Sequence, residues 1–358
     1  MSQKPAPKRR GARVSPQNRY LATERIDDLE QLEFDDELPD AQFLRTQFLP
    51  DDSRSIVSEN DSPDLSFRYS LNPYRGCEHG CAYCYARPTH EYLGLSAGVD
   101  FETQVFVKHR APELFRAWLN RPAWQPEVVC FSGVTDCYQP AERRFALTRG
   151  CLQVALESRQ PVAIVTKNML VLRDLDLLTE MSARRLVSVN VSLTTLDHEL
   201  AWTMEPRTSS PARRLEAIRR LADAGVLVRV LTAPVIPGLN DSEIPQLLGA
   251  AADAGAQSAS YILLRLPLTV KPVFLDWLAA HYPDRAPKVV SRIQNVRSGK
   301  MNDSQFGVRH RGSGNIAAQI GQSFRLFARK HGLDQPLPPL DFSQFRPVPA
   351  AGGQMKLF

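Results

Sequence analysis

Past residue 100 the chain alternates short apolar, β-branched runs with stretches of helical periodicity, and this rhythm restricts its fold more than any other feature. The runs are EVVCFSG (Glu127 to Gly133), PVAIVTKN (Pro161 to Asn168), RLVSVNVSL (Arg185 to Leu193), VLVRVLTAPVIPG (Val226 to Gly238) and QSASYILLRLP (Gln257 to Pro267). Each has the length and residue type of a buried strand. Between them, Ala141 to Ser158, Leu172 to Ala183, Pro211 to Gly225 and Asp241 to Gly255 carry apolar residues at helical spacing. Ser210 before Pro211, and Asp241 or Ser242 before Glu243, supply helix starts; Gly225 and Gly255 supply stops. Strands that alternate with helices at roughly 30-residue spacing need right-handed crossovers and a parallel sheet. With a first strand at LSFRYSL (Leu65 to Leu71), six strands result. The fold class is therefore α/β, read as a partial (β/α)6 barrel of the TIM type. A flat, doubly wound sheet is the alternative, but the chain has no GxGxxG turn after a first strand to favour it.

Length and charge frame this barrel. The 358 residues, 43% of them hydrophobic, suffice for a barrel of roughly 200–250 residues with extensions. No run reaches the ~18 consecutive apolar residues of a membrane span, and MSQKPAPKRRGARVSPQNRY lacks the apolar centre of a signal peptide, so a cytoplasmic protein is expected. The net charge of +5 is unevenly spread: residues 1–22 carry six Lys or Arg and no acid, whereas residues 24–40 carry nine Asp or Glu against Arg25. A basic arm followed by an acidic segment, both poor in aromatics, reads as a disordered leader over 1–45. The barrel is expected over 46–265, a helical extension packed on it over 266–332, and an extended or disordered tail over 333–358. The remaining body is net positive, which mildly suits an anionic partner.

Three of the six cysteines, Cys77, Cys81 and Cys84, fall in NPYRGCEHGCAYCYAR, the loop after the first strand. Parallel barrels carry their chemistry at the C-terminal ends of the strands, so a cofactor belongs there. Six cysteines are too few for a disulfide scaffold in a chain this long, and in a reducing compartment clustered thiols point to metal or redox chemistry. Thiolates spaced CxxxCxxC can wrap one face of an iron–sulfur cube and leave its fourth iron without a protein ligand, open to a substrate. A structural zinc is the other reading. It would need a fourth ligand, with His79, His90 or Cys130 as candidates, but the chain lacks the second CxxC or HxxxH with which zinc sites are paired. Cys130, Cys137 and Cys151 read by default as small hydrophobes on a strand, in a loop and in a helix.

With Tyr83 just before the third cysteine, this motif after the first strand of a (β/α)6 barrel resembles the radical S-adenosylmethionine (SAM) superfamily. NPYRGCEHGCAYCYAR, SGVTDCYQPAE (Ser132 to Glu142), VTKN, EPRTSSPARRLEAI and APVIPGLND, in this order, together resemble its spore photoproduct lyase-like branch, related to DNA repair photolyases. The resemblance implies a [4Fe-4S] cluster on Cys77, Cys81 and Cys84 whose open iron binds the amino and carboxylate groups of SAM. It further implies a low-potential electron donor such as flavodoxin or ferredoxin, cleavage of SAM to methionine and a 5′-deoxyadenosyl radical, and hydrogen-atom abstraction from a substrate, nucleic acid being one candidate. The implied cofactor contacts are Thr135, Asp136 and Glu142 at the methionine ammonium, Lys167 at its carboxylate, and Ser192 and Glu205 at the ribose or the amino-acid end. Gly238 is expected in a turn that lets backbone approach the ligand, and Tyr83 beside the cluster.

Spore photoproduct lyases return a hydrogen atom from a cysteine just ahead of their equivalents of Thr135 and Asp136. This chain has Ser132 and Gly133 there, with Cys130 before and Cys137 after, so the resemblance stops short of thymine-dimer repair. Cys137 and its neighbour Tyr138 become the candidate hydrogen-atom donor and radical relay. Opposed to the enzyme stands a non-catalytic, metal-bearing nucleic-acid-binding protein. Of the remaining basic stretches, the arginines of PARRLEAIRRL read as a solvated outer helix face, while FGVRHRGSGNIAAQI (Phe306 to Ile320) offers an anion site at a helix start.

Overall fold

The computed structural model describes residues 10–21 and 45–348. In chain order its strands are β1 (Gln47–Pro50), β2 (Val57–Glu59), β3 (Tyr69–Leu71), β4 (Tyr74–Arg75), β5 (Gln104–Val107), β6 (Val129–Phe131), β7 (Val162–Thr166), β8 (Val187–Ser192), β9 (Leu227–Val235) and β10 (Ser258–Leu263). The α-helices are α1 (Asp100–Thr103), α2 (Ala111–Leu119), α3 (Glu142–Phe145), α4 (Leu147–Ser158), α5 (Leu175–Ala183), α6 (His198–Met204), α7 (Pro211–Asp223), α8 (Ile244–Asp253), α9 (Val270–His281), α10 (Ala286–Asn295) and α11 (Gly314–Lys330).

The main sheet runs β10-β9-β8-β7-β6-β3-β2. Every pair in it is parallel except β2 with β3. Its parallel strands lie in chain order without a reversal, which excludes the doubly wound sheet and leaves the expected singly wound, partial (β/α)6 barrel. Side-chain alternation separates two faces. Phe131, Ile164, Val189 and Val228 stand in register, all buried, and pack on the helices. The other face turns Cys130, Val165, Asn190, Leu231 and Ile262 into a lumen of about 530 Å³. The sheet is open between β10 and β2. Asp64 bridges that gap by ion-pairing Arg309 and accepting the Gly307 N–H at 2.7 Å. A second sheet, β1-β5-β4, brackets the cysteine loop, with β4 just before it and β5 after it.

Four sequence expectations change. The helix read over Ala141 to Ser158 is broken at Ala146, which takes a left-handed φ of 51°. The cause is Glu142, whose carboxylate turns back to accept the N–H groups of Thr148 (3.1 Å) and Arg149 (3.4 Å) at the start of α4. Ser210 and Pro211 open α7 as expected, but Asp241 caps no helix; it accepts the Gly238 N–H at 2.8 Å. The leader is not wholly without structure. Residues 10–21 lie against the cysteine loop, and Ala12 is fully buried; the rest of the leader, including the acidic segment, lies outside the described residues. Finally, Arg309 is taken by Asp64, and Arg311 bonds the Tyr261 carbonyl at 3.0 Å and covers its ring, so these arginines are engaged by the chain rather than presented at the start of α11.

Candidate active site

The loop after β3 folds Cys77, Cys81 and Cys84 around a cavity of about 110 Å³, which His79, Tyr83, Asp136 and Lys167 also line. Val165 lines both this cavity and the lumen, so the thiols stand at the lumen's C-terminal end. None of the cysteines is in a disulfide. Backbone and buried charge fix the loop. The Cys77 N–H bonds the Phe101 carbonyl at 2.8 Å. Arg87, fully buried, donates to the Cys81 carbonyl at 2.8 and 3.1 Å and pairs with Glu102 at 2.5 Å. Glu102 in turn accepts the N–H groups of Gly11 (3.1 Å) and Ala12 (2.7 Å), which clamps the N-terminal arm onto the loop. There the two segments meet backbone to backbone: a Cβ on Gly11 would lie 1.6 Å from the Gly80 carbonyl oxygen.

Burial pushes the Cys77 and Cys81 thiols well above their usual range; Asp136 adds to the rise at Cys77 and Glu205 at Cys81, against the pull of Lys167. Thiolates here need a cation bound directly to sulfur, as in a metal centre. One zinc would gather its sulfurs at about 2.3 Å from itself and take a fourth ligand, whereas a cube takes one thiolate at each of three separate irons. The three cavity-lining thiols match the cube's three. The fourth zinc ligands considered above are also engaged elsewhere. His79 lies 3.3 Å from Asp136 and 3.3 Å from the Asn168 amide, His90 meets the Gln104 carbonyl at 3.0 Å, and Cys130 faces the lumen.

The expected cofactor residues divide into three groups. Lys167, the residue after β7, is half-buried on the cavity wall with its ammonium 5.9 Å from the centre of the Tyr83 ring, and no carboxylate among the described residues pairs with it. Asp136 is on the same wall but heavily bonded, accepting from Thr166 Oγ1 (2.9 Å), the Lys167 N–H (2.8 Å) and the Tyr138 N–H (2.8 Å). Burial works to raise its pKa, but His79 and these N–H donors outweigh it and hold the carboxyl below its usual range. Thr135 lines the cavity while its hydroxyl bonds the Tyr74 carbonyl at 2.9 Å.

Tyr83 and Glu205 form the second group. The Tyr83 hydroxyl donates to Glu205, which also accepts from Thr194 at 3.0 Å and pairs with Arg214. Burial raises the Glu205 carboxyl against the pull of Arg214. Arg214 is itself buried and reaches the carbonyls of Ser209 (2.8 Å) and Ser192 (3.0 Å), which corrects its reading as a solvated helix residue. Ser192 is buried at the end of β8.

The third group is not at the cavity. Glu142 is fully buried under the start of α4, bonded by Tyr74 and Arg173. Gly238 (φ 86°) abuts Arg292, where a Cβ would meet Cδ at 2.9 Å, so its freedom serves packing on α10. Cys137 and Tyr138 are fully buried in the hydrophobic core, with the Tyr138 hydroxyl on Asp174 at 3.0 Å; neither faces the cavity or the lumen. Beyond the three ligand candidates, the cysteine that does line the lumen is Cys130. Sequence reasoning passed over His79 as an orienting partner, the Arg87–Glu102 pair and the N-terminal arm. Only the Gly80 and Arg87 positions inside the cysteine motif carried a signal for them.

Residues 71–251 match the family model of the radical SAM superfamily. An uncharacterized protein of Mycobacterium tuberculosis is 44% identical over 234 residues, 65% of this chain and 68% of that one. Another from Methanocaldococcus jannaschii is 31% identical over 217 residues, 61% of this chain and 77% of its own. Among solved structures, spore photoproduct lyase complexed with dinucleoside spore photoproduct superimposes with a TM-score of 0.57 at 17% identity, covering 79% of each chain. A variant of that lyase with bound AdoMet and the same dinucleoside gives 0.58 at 18% identity over 79% of this chain and 78% of its own. At such identity the likeness is one of fold.

Proposed function

Because the chain belongs to the radical SAM superfamily, we propose that Cys77, Cys81 and Cys84 are the protein ligands of its [4Fe-4S] cluster and that Lys167 receives the carboxylate of S-adenosylmethionine. The observation that carries this reading is the convergence, on a cavity that meets the barrel lumen, of three thiols outside any disulfide and an ammonium with no carboxylate partner among the described residues. When bound and reduced, the cluster would supply the one electron that cleaves SAM to methionine and a 5′-deoxyadenosyl radical able to abstract a hydrogen atom. The chain's own residues position and protect. Lys167 offers a point charge to a carboxylate, Asp136 is held ionised by His79 and two N–H groups, and the Tyr83–Glu205–Arg214 chain fixes the outer wall.

The substrate we propose for the lumen is anionic, with a nucleic-acid lesion as the first candidate and a DNA repair lyase-like outcome. Two observations support this. Arg229 lines the lumen half-buried, touching Ser258 Oγ at 3.4 Å, with no carboxylate among the described residues in ion-pair reach. The lyase structures of like fold hold a dinucleoside photoproduct. For the thiol that returns a hydrogen atom we propose Cys130, which lines the lumen, in place of Cys137. Burial pushes it up to about 12, keeping it an S–H, the form that can give up a hydrogen atom. Among the described residues no helix is long and apolar enough to cross a membrane, and we assign the enzyme to the cytoplasm, where a low-potential reductant is at hand.

The test is anaerobic incubation of the reconstituted protein with SAM, dithionite and oligonucleotides bearing defined lesions. A substrate should raise 5′-deoxyadenosine above the uncoupled background and change mass. An iron-loaded protein that never cleaves SAM under dithionite would overturn the reading.

A further inference from the structure

A second cavity flanks the cysteine loop. It is a groove of about 600 Å³ that shares no lining residue with the cysteine cavity or the lumen, and it is lined by Arg45, Arg143, Arg207, Arg213, His198 and Trp202 among others. Arg207 pairs with Glu78 at 2.9 Å, but Arg45, Arg143 and Arg213 are exposed and pair with no carboxylate among the described residues. Trp202, 52% exposed, stacks on His198 at 6.5 Å and 11°.

The groove is one side-chain layer away from the thiols. Glu205 lines the groove and bonds Tyr83 on the wall of the cysteine cavity; Asn168 lines the groove and bonds His79 on the same wall. The lumen, by contrast, meets the cysteine cavity at Val165. The cluster site thus has two approaches, and a substrate whose hydrogen atom is abstracted must use the one through the lumen.

We propose that the arginine-lined groove is the docking surface for an acidic, low-potential electron-transfer protein of the flavodoxin type; this rests on the radical SAM reading above. Charge complementarity argues for the partner: arginines on a rim that pair with no carboxylate among the described residues are steering charges. The step is a one-electron transfer through the Tyr83 and His79 layer: the donor is oxidised by one electron, the cluster is reduced by one, and no covalent bond forms or breaks.

The experiment compares wild type with Arg143→Glu/Arg213→Glu, both exposed positions outside the cofactor set, and with Arg143→Lys/Arg213→Lys. Each is mixed in stopped flow either with reduced flavodoxin or with dithionite, following loss of cluster absorbance, and binding of oxidised flavodoxin is measured by calorimetry. The charge-reversed variant should slow reduction by flavodoxin roughly tenfold or more and weaken its binding, while the lysine variant stays near wild type. The wild-type rate should fall as salt rises from about 0.05 to about 0.5 M. Reduction by dithionite should be equal in all three. Equal flavodoxin rates in wild type and the charge-reversed variant would overturn the proposal, as would tight binding of a single-stranded oligonucleotide lost in that variant while flavodoxin binding is untouched. Failure of the radical SAM reading is distinguishable, since dithionite would then bleach nothing.

Discussion

Arg214→Met tests the architecture on which the site hangs. The guanidinium is buried, pairs with the buried Glu205 and donates to the carbonyls of Ser209 and Ser192. Removing one partner of a buried, hydrogen-bonded pair costs about 3–5 kcal/mol, because the other charge stays desolvated. For a chain of this size that corresponds to roughly 4–7 °C in Tm. The penalty has a pH signature. Without Arg214 the buried Glu205 carboxyl rises further, so the folded state keeps a proton that the unfolded chain has lost. A folded-state pKa raised above the unfolded value makes an acid destabilising as pH rises, by about 1.4 kcal/mol per unit between the two values. The cost of Arg214→Met should therefore be greater near pH 8, well above the unfolded carboxylate value, than near pH 5, close to it. Denaturant titrations of the metal-free protein at both pH values, under anaerobic reducing conditions, measure it. Adding Glu205→Gln, which removes the charge, keeps one acceptor oxygen and puts an NH2 donor where the other oxygen stood, should recover about half of the loss or more. A cost under about 1 kcal/mol, the same at both pH values, would refute the reasoning and leave the pair without energetic weight.

Alanine at Cys77, Cys81 or Cys84 should each abolish most bound iron after anaerobic reconstitution, whereas Cys137→Ala and Cys151→Ala, in the core, should keep it; iron analysis decides. Lys167→Ala should keep the cluster and weaken SAM binding by roughly 10–150-fold in calorimetry, the worth of one charge-assisted contact of about 1.5–3 kcal/mol. His90 is buried and its pKa is pushed down to about 4, so its contribution is intact above the ordinary histidine value and lost as pH falls toward 4, up to roughly 3 kcal/mol; His90→Phe should flatten that part of the acid-stability curve. Gly11→Ala places a methyl on the Gly80 carbonyl and should cost roughly 1–3 kcal/mol and speed iron loss, read by Tm and by chelator challenge.

The barrel was legible because its signal is repeated. Five apolar runs spaced by amphipathic stretches admit few topologies, and the structure returns each run as a parallel strand in chain order. Local chemistry was legible where neighbours in sequence are neighbours in space, as at Ser210 and Pro211 or in the cysteine loop. Glu142 failed for an instructive reason. An acid shortly after a strand looks like a ligand for an ammonium, yet its nearest unsatisfied donors were the N–H groups opening α4, six and seven residues on. Cys137 failed similarly: belonging to the right loop fixes where the backbone goes, and the direction of one side chain inside it depends on packing from α4 and the 169–174 turn.

What sequence withheld is the set of contacts made across long stretches of chain. Arg214 reads as one of several arginines on a basic helix, and nothing nearby distinguishes it; its burial follows only once α7 is laid against the end of β8 and Glu205 faces it. The N-terminal arm likewise has the composition of an unstructured segment, but two of its N–H groups meet a carboxylate 90 residues away that Arg87 already holds in place. Both ion pairs close over short spans, but each braces the cysteine loop through contacts far off in sequence, Glu205 with Tyr83 and Glu102 with Gly11 and Ala12. A loop that must hold thiols at the mouth of a lumen has little regular structure of its own, so its rigidity is drawn from these buried ion pairs and the long-range contacts they make. The residues that shape the site are for that reason less visible in its motif than those that line it.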